Sequence, residues 1–162
     1  MNFDVAVYAW ARALHVLGVV VWIGGVFFVT AVLLPALKRF PAQERLPLFS
    51  TLEHRFSWIA RVALLVVVVS GAFLAHMIGF WERMGESHLW PIHLMMLVSV
   101  IFSLILFVIE PIFGKRVLEP FARRHPEKAF ARAGVIHWLL TLLSFSAVLA
   151  GVLLAHGYIL FA

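Results

Sequence analysis

Cysteine is absent from this chain of 162 residues. That excludes disulfides, thiolate metal sites, iron–sulfur clusters and thiol catalysis within it. His, Met and carboxylates are left as the side chains able to hold a metal. Charge is scarce too: 13% of the residues are Asp, Glu, Lys or Arg, against 64% hydrophobic, where a soluble domain carries roughly 45–50% apolar residues. A soluble globular domain does not fit that balance. The basic-and-aromatic clusters that line nucleic-acid grooves are missing. The net charge of +5 is better assigned to loops beside a membrane than to nucleic-acid binding. No phosphate loop, nucleophile–base pair or low-complexity tract is present, and no internal repeat stands out.

What the chain does have is four apolar runs of about 20 residues, the length needed to cross a bilayer of ~30 Å. They predict transmembrane helices at roughly 8–34, 56–77, 90–110 and 134–160, an all-α membrane four-helix bundle forming one domain over 1–162. Pro35 stops the first helix. Pro91 sits in the first turn of the third, where proline is tolerated, and Glu110-Pro111 closes it. Gly18, Gly24 and Gly25 allow close helix approach. The first run is too long for a cleavable secretion signal and has neither a basic start nor an Ala-x-Ala site, so it reads as a retained helix.

The basic residues settle the expected orientation. Lys38, Arg39 and Arg45 fall in the first loop, and Lys115, Arg116, Arg123, Arg124, Lys128 and Arg132 in the third. By the positive-inside rule these loops are cytoplasmic. Both termini then face outward, into the periplasm if the membrane is a bacterial inner membrane. Trp10, Trp81, Trp90 and Tyr158 form an aromatic belt on that side.

Histidines mark the ends of the apolar runs. His15, His76, His93 and His156 lie toward the outer side, His54 and His137 toward the inner. Ionisable side chains in lipid are costly and usually face a bundle interior at a site, and imidazole is the usual axial ligand of haem iron. The outer four predict a cofactor site drawn from two of them, with the others supporting it, and the inner pair is an optional second site. A b-type haem needs two axial donors at matching depth; Gly18, Gly71 and Gly151 offer room for the macrocycle, and Arg12 lies one turn before His15 for a propionate. Copper is the alternative, because Met77, Met84, Met95 and Met96 stand among the outer histidines and thioethers select Cu(I). His88, in the second loop, reads as solvated. On the fourth helix His137, Thr141, Ser144, Val148, Gly151 and Ala155 share an inward face. Arg61 and Glu110 are expected to pair on the inner side, satisfying a buried charge.

The first helix, Arg12-Ala-Leu-His15-Val-Leu-Gly-Val-Val-Val-Trp-Ile-Gly-Gly, resembles the opening helix of the CopD family. The Arg55-Phe-Ser-Trp start and Ser70-Gly71 of the second helix, and Leu89-Trp90-Pro-Ile-His93-Leu at the third, resemble it as well. The resemblance implies a copper-resistance or copper-uptake membrane protein. The HemJ-like proteins, similar in fold, imply b-type haem and protoporphyrinogen oxidation. His15 matches the first-helix His of the family. His93 stands where the HemJ-like pattern usually has Lys, which favours a bis-His site over HemJ-like catalysis. The reading that follows is a multi-pass bacterial inner-membrane protein carrying one or two b-type haems. It passes electrons as a small subunit beside a redox partner, more an electron-transfer protein than a stand-alone enzyme. A CopD-like copper protein using His15, His76, His93 and His156 with Met77, Met95 and Met96 is the alternative, and a HemJ-like oxidase comes third.

Overall fold

The computed structural model describes residues 3–114, 116 and 119–158, which are helical apart from short links. Four helices are long and apolar enough to cross a membrane: α1 (Asp4–Leu37), α2 (Ala42–Met77), α3 (Ser87–Phe113) and α4 (Pro126–Ala155). A short helix, Glu119–Arg124, precedes α4. The chain starts α1 and ends α4 at one end of the bundle, called here the terminal end. The Lys- and Arg-rich links lie at the other, the basic end.

The helices reach further into the basic end than the apolar runs do. Hydropathy stops where charge begins, but helix propensity does not. Residues 42–55 are mostly Ala, Gln, Glu, Arg and Leu, good helix formers, and α2 starts directly after Pro41. In α4, proline in the first turn starts the helix at Pro126. α4 also ends earlier than its apolar run, at Ala155. Gly157 adopts φ +78°, its N–H bonds the Leu154 carbonyl, and the Tyr158 N–H bonds that of Leu153, a left-handed glycine cap. The α2–α3 link is held by Arg83, which donates to both carboxylate oxygens of Glu86 at 2.8 and 2.7 Å. Those bonds keep Glu86 below the usual carboxylate range.

α1 and α3 each contain one wide, π-helical turn, Val29–Leu33 and Ile105–Ile109. Each lies just before a proline, Pro35 and Pro111. Proline has no N–H and its ring crowds the preceding turn, and a widened turn is one way a helix absorbs it. In α3 the Glu110 N–H bonds back to Ile105. The next carbonyl, Leu106, would look to residue 111 for a donor, and Pro111 has none.

The core is packed rather than hollow. Trp22 and Phe102 meet edge-to-face at 4.8 Å between ring centres, surrounded by Ala60, Leu64, Val67 and Ala147. Gly18 and Gly25 let α1 and α2 touch. A Cβ on Gly25 would stand 2.0 Å from the Phe56 ring, and one on Gly18 would stand 2.8 Å from Val67. Gly24 faces open space and takes no part in this seam. On the other side of the bundle Met95 fills the notch at Gly151. The space at the glycines therefore holds Phe56, Val67, His15 and Met95, not room for a macrocycle.

These contacts reveal an internal repeat that sequence inspection passes over. Gly71, Leu74, Ala75 and His76 recur as Gly151, Leu154, Ala155 and His156, and Trp58 recurs as Trp138, always 80 positions on. Space obeys the same shift. Trp22 and Phe102, 80 apart, pack on each other. His15 sits at Gly71 as Met95 sits at Gly151. Thr30 meets Thr141 across α1 and α4, as Glu110 meets Arg61 across α3 and α2. A residue packed on its own counterpart is the mark of a two-fold axis. Here the axis runs along the bundle, as in membrane proteins built from parallel repeats. The molecule is two helical hairpins, α1–α2 and α3–α4, of one design.

The glycine seam gives a direct check. Gly25→Ala forces Phe56 aside and should destabilise the bundle by about 1–3 kcal/mol, the usual cost of overpacking. Gly24→Ala should be neutral or stabilising by up to about 1 kcal/mol, since alanine is the better helix former. Unfolding in mixed micelles reads both; equal effects would remove the seam.

Candidate functional site

At the terminal end, His15 is the histidine that the fold seats. Its Nδ1 lies 3.0 Å from the Val67 carbonyl and 3.1 Å from Ser70 Oγ. A carbonyl only accepts, so Nδ1 carries the proton. The Ser70 hydroxyl donates to the Val66 carbonyl and so receives, with Val67, the same Nδ1–H. In the neutral ring Nε2 is then left with its lone pair. Gly71 makes the seat possible, because a Cβ there would come within 3.0 Å of the imidazole. α2 thus fixes the tautomer and tilt of a ring carried by α1, in the manner of the carbonyl partners that orient metal-bound histidines.

The other histidines are anchored more simply. His93 Nδ1 bonds the Leu89 carbonyl at 3.2 Å and His156 Nδ1 that of Val152 at 2.8 Å, each one turn back on its own helix. Both are exposed, and the ring of His93 rests edge-on against buried Phe80. His76, Met77 and Met96 are exposed on their helices, as is Arg12 on the turn before His15, while Met95 is half-buried. His88 is half-buried beside Glu86, 3.4 Å away.

The repeat and the packing give the relative depths. Thr30 meets Thr141 between antiparallel helices; fifteen positions toward the terminal end from each lie His15 and His156. Trp22 meets Phe102 between parallel helices; seven positions back lie His15 and Met95, with His93 about 3 Å further out at 1.5 Å per residue. His15, Met95 and His156 are therefore level, and His93 is within a turn of them.

The histidines of the basic end go separate ways. His54 is exposed on α2. His137 turns its Nε2 toward Glu53, 3.9 Å away, while Nδ1 donates to the Ala133 carbonyl at 2.9 Å and the ring abuts Phe49. No contact joins the two imidazoles among the described residues: His54 is exposed, and His137 is turned toward Glu53.

What the basic end builds instead is a polar network that involves all four helices. The expected Arg61–Glu110 pair is present at 3.2 Å. Ser57, buried, reaches both oxygens of the same carboxylate at 2.8 and 2.7 Å. Arg61 Nε donates to Leu106 at 3.0 Å, the carbonyl orphaned by the wide turn and Pro111, and its guanidinium lies over Trp58. Thr30 and Thr141 bond at 2.8 Å, and Thr30 also donates to the Val26 carbonyl. On α4 the buried line runs through Thr141, Ser144, Ala147 and Ala150, while Val148 is exposed. Ser144 Oγ and Trp22 Nε1 are buried without a hydrogen-bond partner among the described residues.

Sequence reasoning found the Arg61–Glu110 pair but missed Glu53 and Ser57. The signal was there: Glu53, Ser57 and Arg61 recur every four residues, which puts them on one face of a helix. Among the described residues no three His, Asp or Glu side chains converge as a ready metal site. Comparison of the chain with known protein families, with curated proteins and with solved structures finds no match.

Proposed function

We propose that this chain is a b-type haem protein of the bacterial inner membrane. It passes electrons beside a redox partner, has both termini on the periplasmic side, and binds iron through His15. The observation that carries the reading is the seat of His15. Nδ1 is pinned to α2, and Nε2 is left as the only nitrogen of that ring free to bind. That pre-orientation uses a glycine at position 71 and a hydroxyl at 70. A haem takes one or two axial donors from the protein, which suits single anchored histidines better than an ion needing three or four protein ligands. His156 or His93, within a turn of the same depth, would supply the second donor and Arg12 would meet a propionate, with the macrocycle held outside the filled glycine notches. When bound, haem supplies the one-electron chemistry. The chain's own part is to orient the imidazole and to keep the surroundings apolar.

One observation favours a second reading, CopD-like copper handling. The counterpart of His15 in the other hairpin is Met95, at the same depth, and a thioether is a donor that suits Cu(I).

His15→Ala separates these readings. In the haem protein it should abolish or convert the reduced α band of purified membranes, and haem retained should fall roughly tenfold or more, as loss of a ligand-orienting group alone costs 10–100-fold in affinity. His54→Ala should leave the spectrum intact. Full haem content in His15→Ala removes His15 as ligand, and a colourless wild type that retains copper selects the second reading.

Orientation has its own test. A reporter fused after residue 162 that is active only in the periplasm should be active. Activity of a cytoplasmic reporter there would invert the assignment.

A further inference from the structure

We propose that the basic end of the bundle binds anionic phospholipids. Arg55 and Arg132 each take the headgroup phosphate of a lipid whose chains lie along the exposed apolar stripe of the same helix.

Charge divides unequally between the two ends. Residues 38–61 and 110–132 hold eleven of the 13 Lys and Arg and five of the eight Asp and Glu, an excess of six positive charges. The terminal end has Arg12 and Arg83 against Asp4, Glu82 and Glu86. Part of the basic end's charge is committed to the fold. Arg61 pairs with Glu110. Arg45 donates to the Phe40 and Lys38 carbonyls at 2.8 and 3.1 Å and lies over the Phe130 ring, which ties the α1–α2 link to α4.

Arg55 and Arg132 stand apart because of the faces they occupy. On α2, Leu48, Leu52, Arg55, Ile59 and Val62 follow at steps of three and four, one face of a helix, and all are exposed. On α4, Arg132, Val135, Leu139 and Leu142 follow in the same way and are exposed too. Each arginine therefore continues a stripe that faces away from the core, one turn past Ile59 or Val135. Neither has a carboxylate partner among the described residues. Glu53, two positions from Arg55, is turned about 200° away, toward His137. Glu127, five positions from Arg132, is turned about 140° from it. Arg132 stacks over Phe121 at 4.9 Å, which engages the face of the guanidinium and leaves its N–H edge to an acceptor.

The two arginines also lie at similar depth. Arg61 meets Glu110 and Thr30 meets Thr141, and the two-fold of the hairpins makes these four positions level. Arg55 is about 9 Å nearer the basic end than Arg61, and Arg132 about 14 Å nearer than Thr141, at 1.5 Å per residue. That difference fits within one headgroup layer, roughly 5–8 Å thick. Leu48 and Leu52 carry the apolar stripe of α2 into the same layer, as an interfacial helix does. A phosphodiester there can accept two N–H bonds from one guanidinium while its chains run down the stripe. A zwitterionic lipid brings an ammonium with its phosphate, which the positive excess disfavours. A lipid of net negative charge is what this surface complements.

The test is the lipid selectivity of the full-length protein in phosphatidylcholine vesicles, read by electron paramagnetic resonance of trace spin-labelled lipids. The motionally restricted lipid beside the wild type should favour phosphatidylglycerol over phosphatidylcholine by about fivefold, the factor one near-surface cation gives an anionic lipid. Salt at about 1 M should weaken that preference, because such charges are screened. Arg55→Gln combined with Arg132→Gln should bring it below about twofold. Arg55→Lys with Arg132→Lys keeps both charges and should retain it. Arg83→Gln, which removes a cation from the terminal end, should leave it unchanged. Millimolar glycerophosphate should not displace the labelled lipid. Equal restriction of the two lipids by the wild type overturns the proposal and leaves these stripes to a protein partner. A preference that survives the double Gln variant, or that Arg83→Gln lowers as far, overturns the assignment to Arg55 and Arg132. Displacement by glycerophosphate overturns the part given to the apolar stripes. None of these readings requires haem or copper to be bound, and none involves His15.

Discussion

In a bundle this apolar, a buried polar group is held by another polar group or not at all, and that constraint shapes the molecule. Lipid supplies no hydrogen bonds, so a side chain that carries a proton or a charge turns to a carbonyl of its own helix or to a partner on a neighbouring one. His15 finds α2. Thr30 finds Thr141, and Ser57 and Arg61 find Glu110. These few bonds cross the α1–α2, α1–α4 and α2–α3 seams, where apolar packing alone would let helices slide. They add direction to an interface that leucine and valine leave loosely specified.

The two-hairpin repeat shows how such partners are distributed. At equivalent positions one copy is polar in one way and the other in another. His15 answers to Met95, Ser70 to Ala150, Thr30 to Glu110, Arg61 to Thr141, and Ser57 to His137. The shared positions, Gly71 and Gly151 above all, set the helix approach and are the same because the packing is the same. Function is carried by what differs. One hairpin seats an imidazole at the terminal end where the other seats a thioether. At the basic end the carboxylate network falls on the α2–α3 seam and the neutral hydroxyl pair on the α1–α4 seam. The asymmetry places a seated imidazole at one end of the bundle and a guanidinium–carboxylate pair at the other.

Much of this was legible in the sequence. Four runs of bilayer length cannot be read otherwise, and Arg61 with Glu110 follows from the cost of burying either alone. The helix ends were harder, because hydropathy ends before helix propensity does at residues 42–55, and because a glycine cap at Gly157 overrides an apolar tail. The repeat was hidden in a composition where most identities are leucine, valine or alanine. Only the Gly-x-x-Leu-Ala-His pattern is distinctive, and the contacts between counterparts made it plain. For the optional inner site at His54 and His137, helix rotation is what matters. Neighbouring residues on a helix point about 100° apart, and it is Glu53, not His54, that faces α4. Gly71, taken as space for a macrocycle, is the seat of an imidazole.

The central functional claim is that the pre-oriented His15 serves haem. The most direct measurement is the haem-to-protein ratio of the purified wild-type chain, taken by pyridine haemochrome against protein mass. One b-type haem per chain is the expected value. Protein purified from haem-replete membranes with no haem, whether or not it carries copper, would contradict it.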